Sequence, residues 1–81
     1  MKIVIYGTPF HESYEITFQQ IINTFESKKV KLIFYKKFYL FAKSKKIKFK
    51  NKVEYFEDYT TLSKIKNISF FLSVGGDGTF L

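Results

Sequence analysis

A carboxylate set among three glycines is the feature of this sequence with the clearest chemical use. Asp77 lies within Gly75-Gly76-Asp77-Gly78-Thr79, directly after a short apolar run. Glycine has no Cβ, so it can adopt positive φ and lets a phosphate or sugar approach the backbone, whose N–H groups then act as donors. In such a loop a carboxylate can accept the proton of a hydroxyl group or hold a magnesium ion. Both roles belong to phosphoryl transfer.

The segment in front of the motif predicts a strand that delivers Asp77 to this turn. Residues 68–74, Ile-Ser-Phe-Phe-Leu-Ser-Val, are rich in β-branched and aromatic side chains and are followed by glycine, which is typical of a buried strand. A glycine-rich turn in which Asp serves only the turn geometry is the structural alternative. The preceding strand and the following Thr79-Phe80-Leu81 favour a phosphate site.

These residues resemble a known family, the NAD kinases. Residues 68–81 are similar to the Gly-Gly-Asp-Gly-Thr strand and loop of that family, and Met1 to Gly7 is similar to its first strand. The resemblance covers the whole chain. Diacylglycerol and related lipid kinases share the glycine motif, and phosphofructokinases share a looser form of it.

The residues after the first predicted strand separate these families. Lipid kinases usually have an Asn-Pro-x-Ser-Gly loop there, whereas residues 7–11 are Gly-Thr-Pro-Phe-His. Phosphofructokinases carry a glycine-rich loop near the N-terminus, which this sequence lacks. NAD kinase is therefore the better match, and a lipid kinase fragment stays the alternative.

The resemblance implies transfer of the γ-phosphoryl group of ATP, or of polyphosphate, to the 2′-hydroxyl of the adenosine ribose of NAD, giving NADP. It implies NAD and ATP as partners and a divalent cation, Mg²⁺, as cofactor. By matching positions, Asp77 is the proton acceptor, and Gly75, Gly76, Asp77, Gly78 and Thr79 contact the nucleotide.

The resemblance also implies a fold, a Rossmann-like (phosphofructokinase-like) α/β parallel sheet with flanking helices. Residues 1–81 correspond to the N-terminal portion of the α/β domain of the family. The second motif and the C-terminal β-rich domain of the family have no counterpart here. We therefore expect an N-terminal fragment that is inactive alone, inclined to aggregate, and part of a homo-oligomer when full-length.

Hydrophobic periodicity gives an alternating order of elements. Strands are predicted at residues 2–6, 30–35 and 68–74, and helices from Glu12 or Ser13 to about Ser27, at 37–43 and, in one or two turns, at 60–65. Residues 44–58 predict an irregular strand or a loop. This order indicates right-handed βαβ units around a parallel sheet. If the first and last strands are neighbours, the loops after them share one edge of the sheet.

Composition limits the class of protein. The chain has 81 residues and no cysteine, so we expect one small domain without disulfides, in a reducing compartment. A signal peptide and an apolar run of membrane-spanning length are both missing from this sequence. We therefore expect a soluble, cytoplasmic protein with no membrane contact.

Lysine enrichment offers a competing function. All fourteen basic residues are lysines, and eleven lie between Lys28 and Lys52, interleaved with aromatic residues. Such a stripe could bind single-stranded nucleic acid. The absence of arginine argues against a specialised site, and a solvated surface is the preferred interpretation. His11 is likewise interpreted as a solvent-facing loop residue. The three nearby acidic residues are interpreted as a solvated acidic turn rather than a metal site: Glu54, Glu57 and Asp58.

Overall fold

The chain folds into an α/β unit around a parallel sheet. The structure is a computed structural model and describes residues 1–75. Within that range the sheet has four strands, β1 (Lys2–Gly7), β2 (Lys31–Tyr35), β3 (Glu54–Phe56) and β4 (Phe70–Val74), in the order β3-β2-β1-β4. All neighbouring strands are parallel. This order is compatible with a Rossmann-like fold, in which the sheet begins 3-2-1-4.

Three α-helices connect the described strands, and they lie on both faces of the sheet. They are α1 (Glu15–Ser27), preceded by a 3₁₀ turn at Glu12–Tyr14, α2 (Lys36–Ser44) and α3 (Tyr59–Ser63). Phe18 and Ile22 of α1 and Phe38 of α2 belong to the larger core cluster on one face. Leu62 of α3 packs against a smaller cluster of Val4, Ile33 and Phe56 on the other. The predicted alternation of strands and helices is therefore confirmed.

Helices cover both faces of the sheet, and this explains why consecutive residues of β2 are buried. The sequence alternation predicts Leu32 and Phe34 on one side and Ile33 on the other, and all three are buried. Strands of parallel sheets are covered on both faces and therefore carry consecutive apolar residues. Phe34 is the centre of the larger cluster, with the rings of Phe38, Phe18 and Phe49 between 5.4 and 6.5 Å from its own.

The sequence predicts a buried strand over residues 68–74, with inward-facing aromatic rings, and for Phe70 and Phe71 this prediction is wrong. Their exposed fractions are 60% and 64%. The physical reason is that β4 forms one edge of the sheet within residues 1–75, so its outer side has no covering neighbour there. Leu72 and Val74, nearer the carboxyl end, do pack against the larger cluster.

The irregular segment between α2 and β3 is fastened to α1 by two side chains. Gln19 accepts a hydrogen bond from the Lys48 N–H (2.8 Å) and donates one to the Lys48 carbonyl (2.9 Å). The buried carboxylate of Glu26 accepts from the N–H groups of Lys50 and Asn51 at 2.8 and 2.9 Å through Oε2. The helix thus supplies the hydrogen bonds that this segment would otherwise lack.

We expect Glu26→Ala to destabilise the fold by about 1–3 kcal/mol, because two backbone N–H groups lose their acceptor. Glu26→Gln is the matched control, since the amide oxygen can accept the same two bonds, and it should cost less. Urea denaturation followed by circular dichroism measures both. Equal midpoints for Glu26→Ala and the parent chain would contradict this role.

Candidate functional site

The loops that follow β1 and β4 begin side by side. The register pairs Gly7 with Val74, and the Thr8 N–H donates to the Val74 carbonyl at 3.1 Å. Strand order reverses at this point, because β2 and β3 lie on one side of β1 and β4 lies on the other. Ligands of open parallel sheets bind beyond the carboxyl ends of the strands at such a reversal. The first and last strands are thus neighbours, which was the condition for their loops to share one edge of the sheet.

The predicted site residues fall at the end of the described range. Gly75 is the first residue after β4 and is half-buried. Gly76, Asp77, Gly78 and Thr79 lie outside the described residues, so their assigned roles stay predictions. The structure therefore gives the approach to the motif, namely β4 and its pairing with β1.

Gly7 is required by the close packing at this edge. A Cβ on Gly7 would lie 2.8 Å from the carbonyl oxygen of Val74 and 2.9 Å from the ring of Phe38. Separations this short do not occur for real Cβ atoms, and one of the neighbours is backbone. Glycine at this position thus allows β1, β4 and α2 to converge where the two loops begin.

The loop after β1 is anchored by Phe10 and shaped by His11. The buried Phe10 ring lies 5.0 Å from that of Phe41 and 5.3 Å from that of Phe18. His11 is exposed, which confirms the solvent-facing interpretation. Its Nδ1 accepts the Ser13 N–H at 3.0 Å and so caps the 3₁₀ turn. This histidine has a local structural role.

An aromatic cavity of about 410 Å³ opens on the α3 side of the sheet. Its walls include Val4, Tyr6, Tyr35, Phe56, Leu62 and Phe71. A second cavity of about 310 Å³ lies towards the loop after β1, and Lys37 and Thr8 contribute to it. Tyr6 and Tyr35 line both cavities, and their rings are 4.9 Å apart. Apolar cavities of this size with a few polar groups accommodate small molecules.

The sequence analysis did not single out Tyr6 or Tyr35. A signal was available, because Tyr6 is the penultimate residue of β1 and Tyr35 the last residue of β2. Residues at the carboxyl ends of parallel strands border the ligand-binding edge. Aromatic type alone does not identify such positions, since Tyr6 is exposed whereas Tyr35 is half-buried.

Each of the three clustered acidic residues has a local partner. Glu54 pairs with Lys31 at 3.2 Å, and Glu57 pairs with Lys36 at 2.7 Å. The hydrogen bond to Glu57, together with its charge, raises the pKa of Lys36. Asp58 caps α3. Among residues 1–75 no group of three His, Cys, Asp or Glu side chains is arranged to hold a metal ion.

The lysines and the aromatic side chains of residues 28–52 differ in exposure, since none of those rings is fully exposed. Phe34 and Phe38 are buried, whereas the lysines of residues 28–52 are exposed except for the half-buried Lys36. Lys43 and Lys45 lie over the rings of Tyr39 and Phe41 at 6.0 and 5.7 Å, and both rings also pack against the core. A base-stacking platform needs exposed rings, so this arrangement favours a solvated lysine surface.

Comparisons with protein-family models, curated proteins and solved structures find no match to this chain. No helix within residues 1–75 is long and apolar enough to cross a bilayer. The class that the structure defines is an α/β protein with an all-parallel sheet, flanking helices and a reversal of strand order between β1 and β4.

We expect Gly7→Ala to destabilise the fold by about 1–3 kcal/mol, since the added methyl must displace the Val74 carbonyl or the Phe38 ring. Thr17→Ala, an exposed position of α1, is the control and should change stability by less than about 0.5 kcal/mol. Urea midpoints measure both. A Gly7→Ala chain as stable as its parent would show that the edge can relax.

The cap of α3 should make stability dependent on pH. Asp58 accepts hydrogen bonds from the N–H (2.8 Å) and hydroxyl (2.9 Å) of Thr61, and these bonds lower the pKa of Asp58. A carboxyl group with a lowered folded pKa stabilises the fold above its unfolded pKa, and this stabilisation is lost as the pH falls through the folded pKa.

We therefore expect the parent chain to lose stability relative to Asp58→Asn below about pH 4, because Asn caps a helix without titrating. The melting temperatures of both chains are measured across the acid range. The difference between them isolates the effect of Asp58, because the other carboxylates are the same in both chains. Parallel curves would exclude Asp58 as the titrating group.

Proposed function

We propose that this chain carries the nucleotide-binding edge of a NAD kinase, which transfers the γ-phosphoryl group of ATP to the 2′-hydroxyl of the adenosine ribose of NAD. The supporting observation is the pairing of β1 with β4 where the strand order reverses. That pairing brings the residues after Gly7 beside Gly75, the first glycine of the motif. Nucleotides bind at this position in Rossmann-like sheets.

In this proposal the motif contributes both geometry and a base. The backbone N–H groups of Gly75, Gly76 and Gly78 meet phosphate or ribose oxygens, since no side chain blocks their approach. Asp77 accepts the proton of the 2′-hydroxyl as its oxygen bonds to the γ-phosphorus of ATP, while the bond from that phosphorus to the β–γ bridging oxygen breaks and ADP leaves; Thr79 contacts the nucleotide. Catalysis of this kind depends mainly on positioning and on stabilisation of charge.

The described cavities supply complementary features for such a ligand. Tyr6 and Tyr35 border both cavities near the carboxyl ends of β1 and β2, and aromatic walls suit the flat rings of NAD and ATP. Lys37 contributes a positive charge to the cavity beside the loop after β1. The net charge of +7 attracts polyphosphate ligands from solution.

The cation fits this proposal as a companion of the nucleotide. Among residues 1–75 no cluster of three donor side chains is arranged to hold a metal ion. Mg²⁺ commonly binds through substrate phosphates together with one or two carboxylates, and in this proposal Asp77 acts as the proton acceptor. The ion would neutralise charge on the transferred phosphoryl group.

Asp77→Asn tests the proposed base. In a chain that turns over, we expect this change to lower kcat for NADP formation from NAD and Mg²⁺-ATP by about 10²–10⁴, because the hydroxyl loses its proton acceptor. Glu54→Gln is the control, since it removes a carboxylate from β3, at the opposite edge of the sheet from β4, and should retain activity. Full turnover by Asp77→Asn would exclude the role.

Binding can be tested apart from turnover. In ¹H–¹⁵N spectra of this chain, we expect NAD or Mg²⁺-ATP to shift the amide signals of Gly7, Thr8 and Gly75, because these residues begin the two loops. The amides of α1, none of whose residues line either cavity, provide the internal reference. Shifts confined to α1, or none at all, would contradict the proposed site.

A further inference from the structure

A cavity of about 410 Å³ at the amino end of the sheet is lined by lysines. Four of them contribute to its walls, Lys2, Lys31, Lys64 and Lys66, and we call it the lysine cavity. They come from three separate parts of the fold, since Lys2 begins β1, Lys31 begins β2, and Lys64 and Lys66 follow α3. The tertiary structure, and not a run of lysines in the sequence, therefore brings these charges together.

The sheet places two of these lysines side by side. In the pairing of β1 with β2, Lys2 is the register partner of Lys31. Val4 and Ile33, two residues further along each strand, belong to the smaller core cluster on the α3 face. Side chains alternate along a strand, so both lysines point to that same face. Their ammonium groups thus project from neighbouring strands into one region, where like charges repel.

The described lining of the lysine cavity contains one carboxylate for four lysines. That carboxylate is Glu54, and it pairs with Lys31 at 3.2 Å. The Lys2 ammonium donates to the Lys66 carbonyl at 2.9 Å. A carbonyl is a neutral acceptor, so this hydrogen bond leaves the positive charge of Lys2 in place. The lining therefore has an excess of positive charge that an anion can compensate.

We propose that the lysine cavity is a second binding site, with a short chain of linked phosphates such as tripolyphosphate as its ligand. This site is independent of the proposed function, because Lys2 and Gly7 lie at opposite ends of β1, roughly 16 Å apart. A lysine ammonium is a compact charge on a flexible stem. Several such groups can therefore meet successive phosphates of a chain, whereas a single phosphate reaches fewer of them.

The aromatic content of the lining favours a bare phosphate chain over a nucleotide. Tyr55 is the aromatic residue among the described residues that line the lysine cavity. Its ring stacks on that of Tyr39, with centroids 5.5 Å apart, and Tyr39 packs against the larger core cluster on the other face of the sheet. A nucleobase would therefore find no ring to stack on beside the four lysines, and the phosphates would supply the binding energy.

Calorimetric titration with phosphate, pyrophosphate and tripolyphosphate, without Mg²⁺, tests the proposal. We expect affinity to rise with each added phosphate and to fall with added salt, because the contacts are between charges. In ¹H–¹⁵N spectra, tripolyphosphate should shift the amide signals of Lys31, Lys64 and Lys66, and the amides of α1 provide the reference. Binding of ATP tighter than that of tripolyphosphate would contradict the choice of ligand.

A pair of double variants separates the lysine cavity from the overall charge. Lys64→Gln with Lys66→Gln should raise the dissociation constant of tripolyphosphate at least about tenfold, because half of the ammonium groups of the lining are lost. Lys43→Gln with Lys45→Gln is the matched control, since it removes the same charge at the end of α2, outside the lysine cavity. Its effect should stay below about threefold. Circular dichroism verifies that both variants are folded.

Three results would overturn the proposal. The first is equal weakening in the two double variants, which would reduce binding to an effect of net charge. The second is tripolyphosphate shifts confined to Gly7, Thr8 and Gly75, which would place the ligand at the proposed nucleotide edge. The third is no binding of tripolyphosphate at low salt, a result that would leave the separate tests with NAD and Mg²⁺-ATP unaffected.

Discussion

The pairing of β1 on both sides is the interaction on which the rest of the structure depends. β1 binds β2 along one edge and β4 along the other, both in parallel, and Val4 and Ile5 at its centre are almost completely buried on opposite faces. Parallel strands cannot be joined by tight turns, so each pairing requires a crossover that also covers a face of the sheet. The positions of α1 and α3 are thus consequences of how β1 is paired.

Hydrophobic periodicity in the sequence predicted the helices and strands that bury a continuous apolar face. It did not predict the segments that are too short for a period or that are held by side-chain hydrogen bonds. α1 and the strands around β1 have apolar residues at the spacing of their elements, so the sequence located them. β3 has only Glu54, Tyr55 and Phe56, too few for a period to emerge. The segment before it is fixed by Glu26 and Gln19 from α1, and contacts between distant residues leave no local pattern.

Some features of the candidate site could likewise be predicted from the sequence, and others could not. The motif around Asp77 was recognisable because glycine and carboxylate types at fixed spacing have a local chemical meaning. Tyr6 and Tyr35 gain their position only when β1 and β2 end at the same edge of the sheet, which is a property of topology. Gly7 is similar, since its need for a missing Cβ comes from Val74 and Phe38. The sequence shows which residue types could bind a ligand. It does not show which of them the fold brings into contact, because those contacts join residues that are distant in the sequence.

The strand that leads to the motif is supported less than the others. β4 has a strand neighbour only at β1 within the described residues, and Phe70 and Phe71 lie against no complete core. A loop that positions a phosphate or a hydroxyl must be held to within about half an ångström, which requires rigid elements beneath it. Edge strands with few buried contacts are among the parts of a protein that open most readily. Among the described residues, the position of Gly75 therefore depends chiefly on the pairing of β4 with β1 and on the packing of Leu72 and Val74 against the larger core cluster.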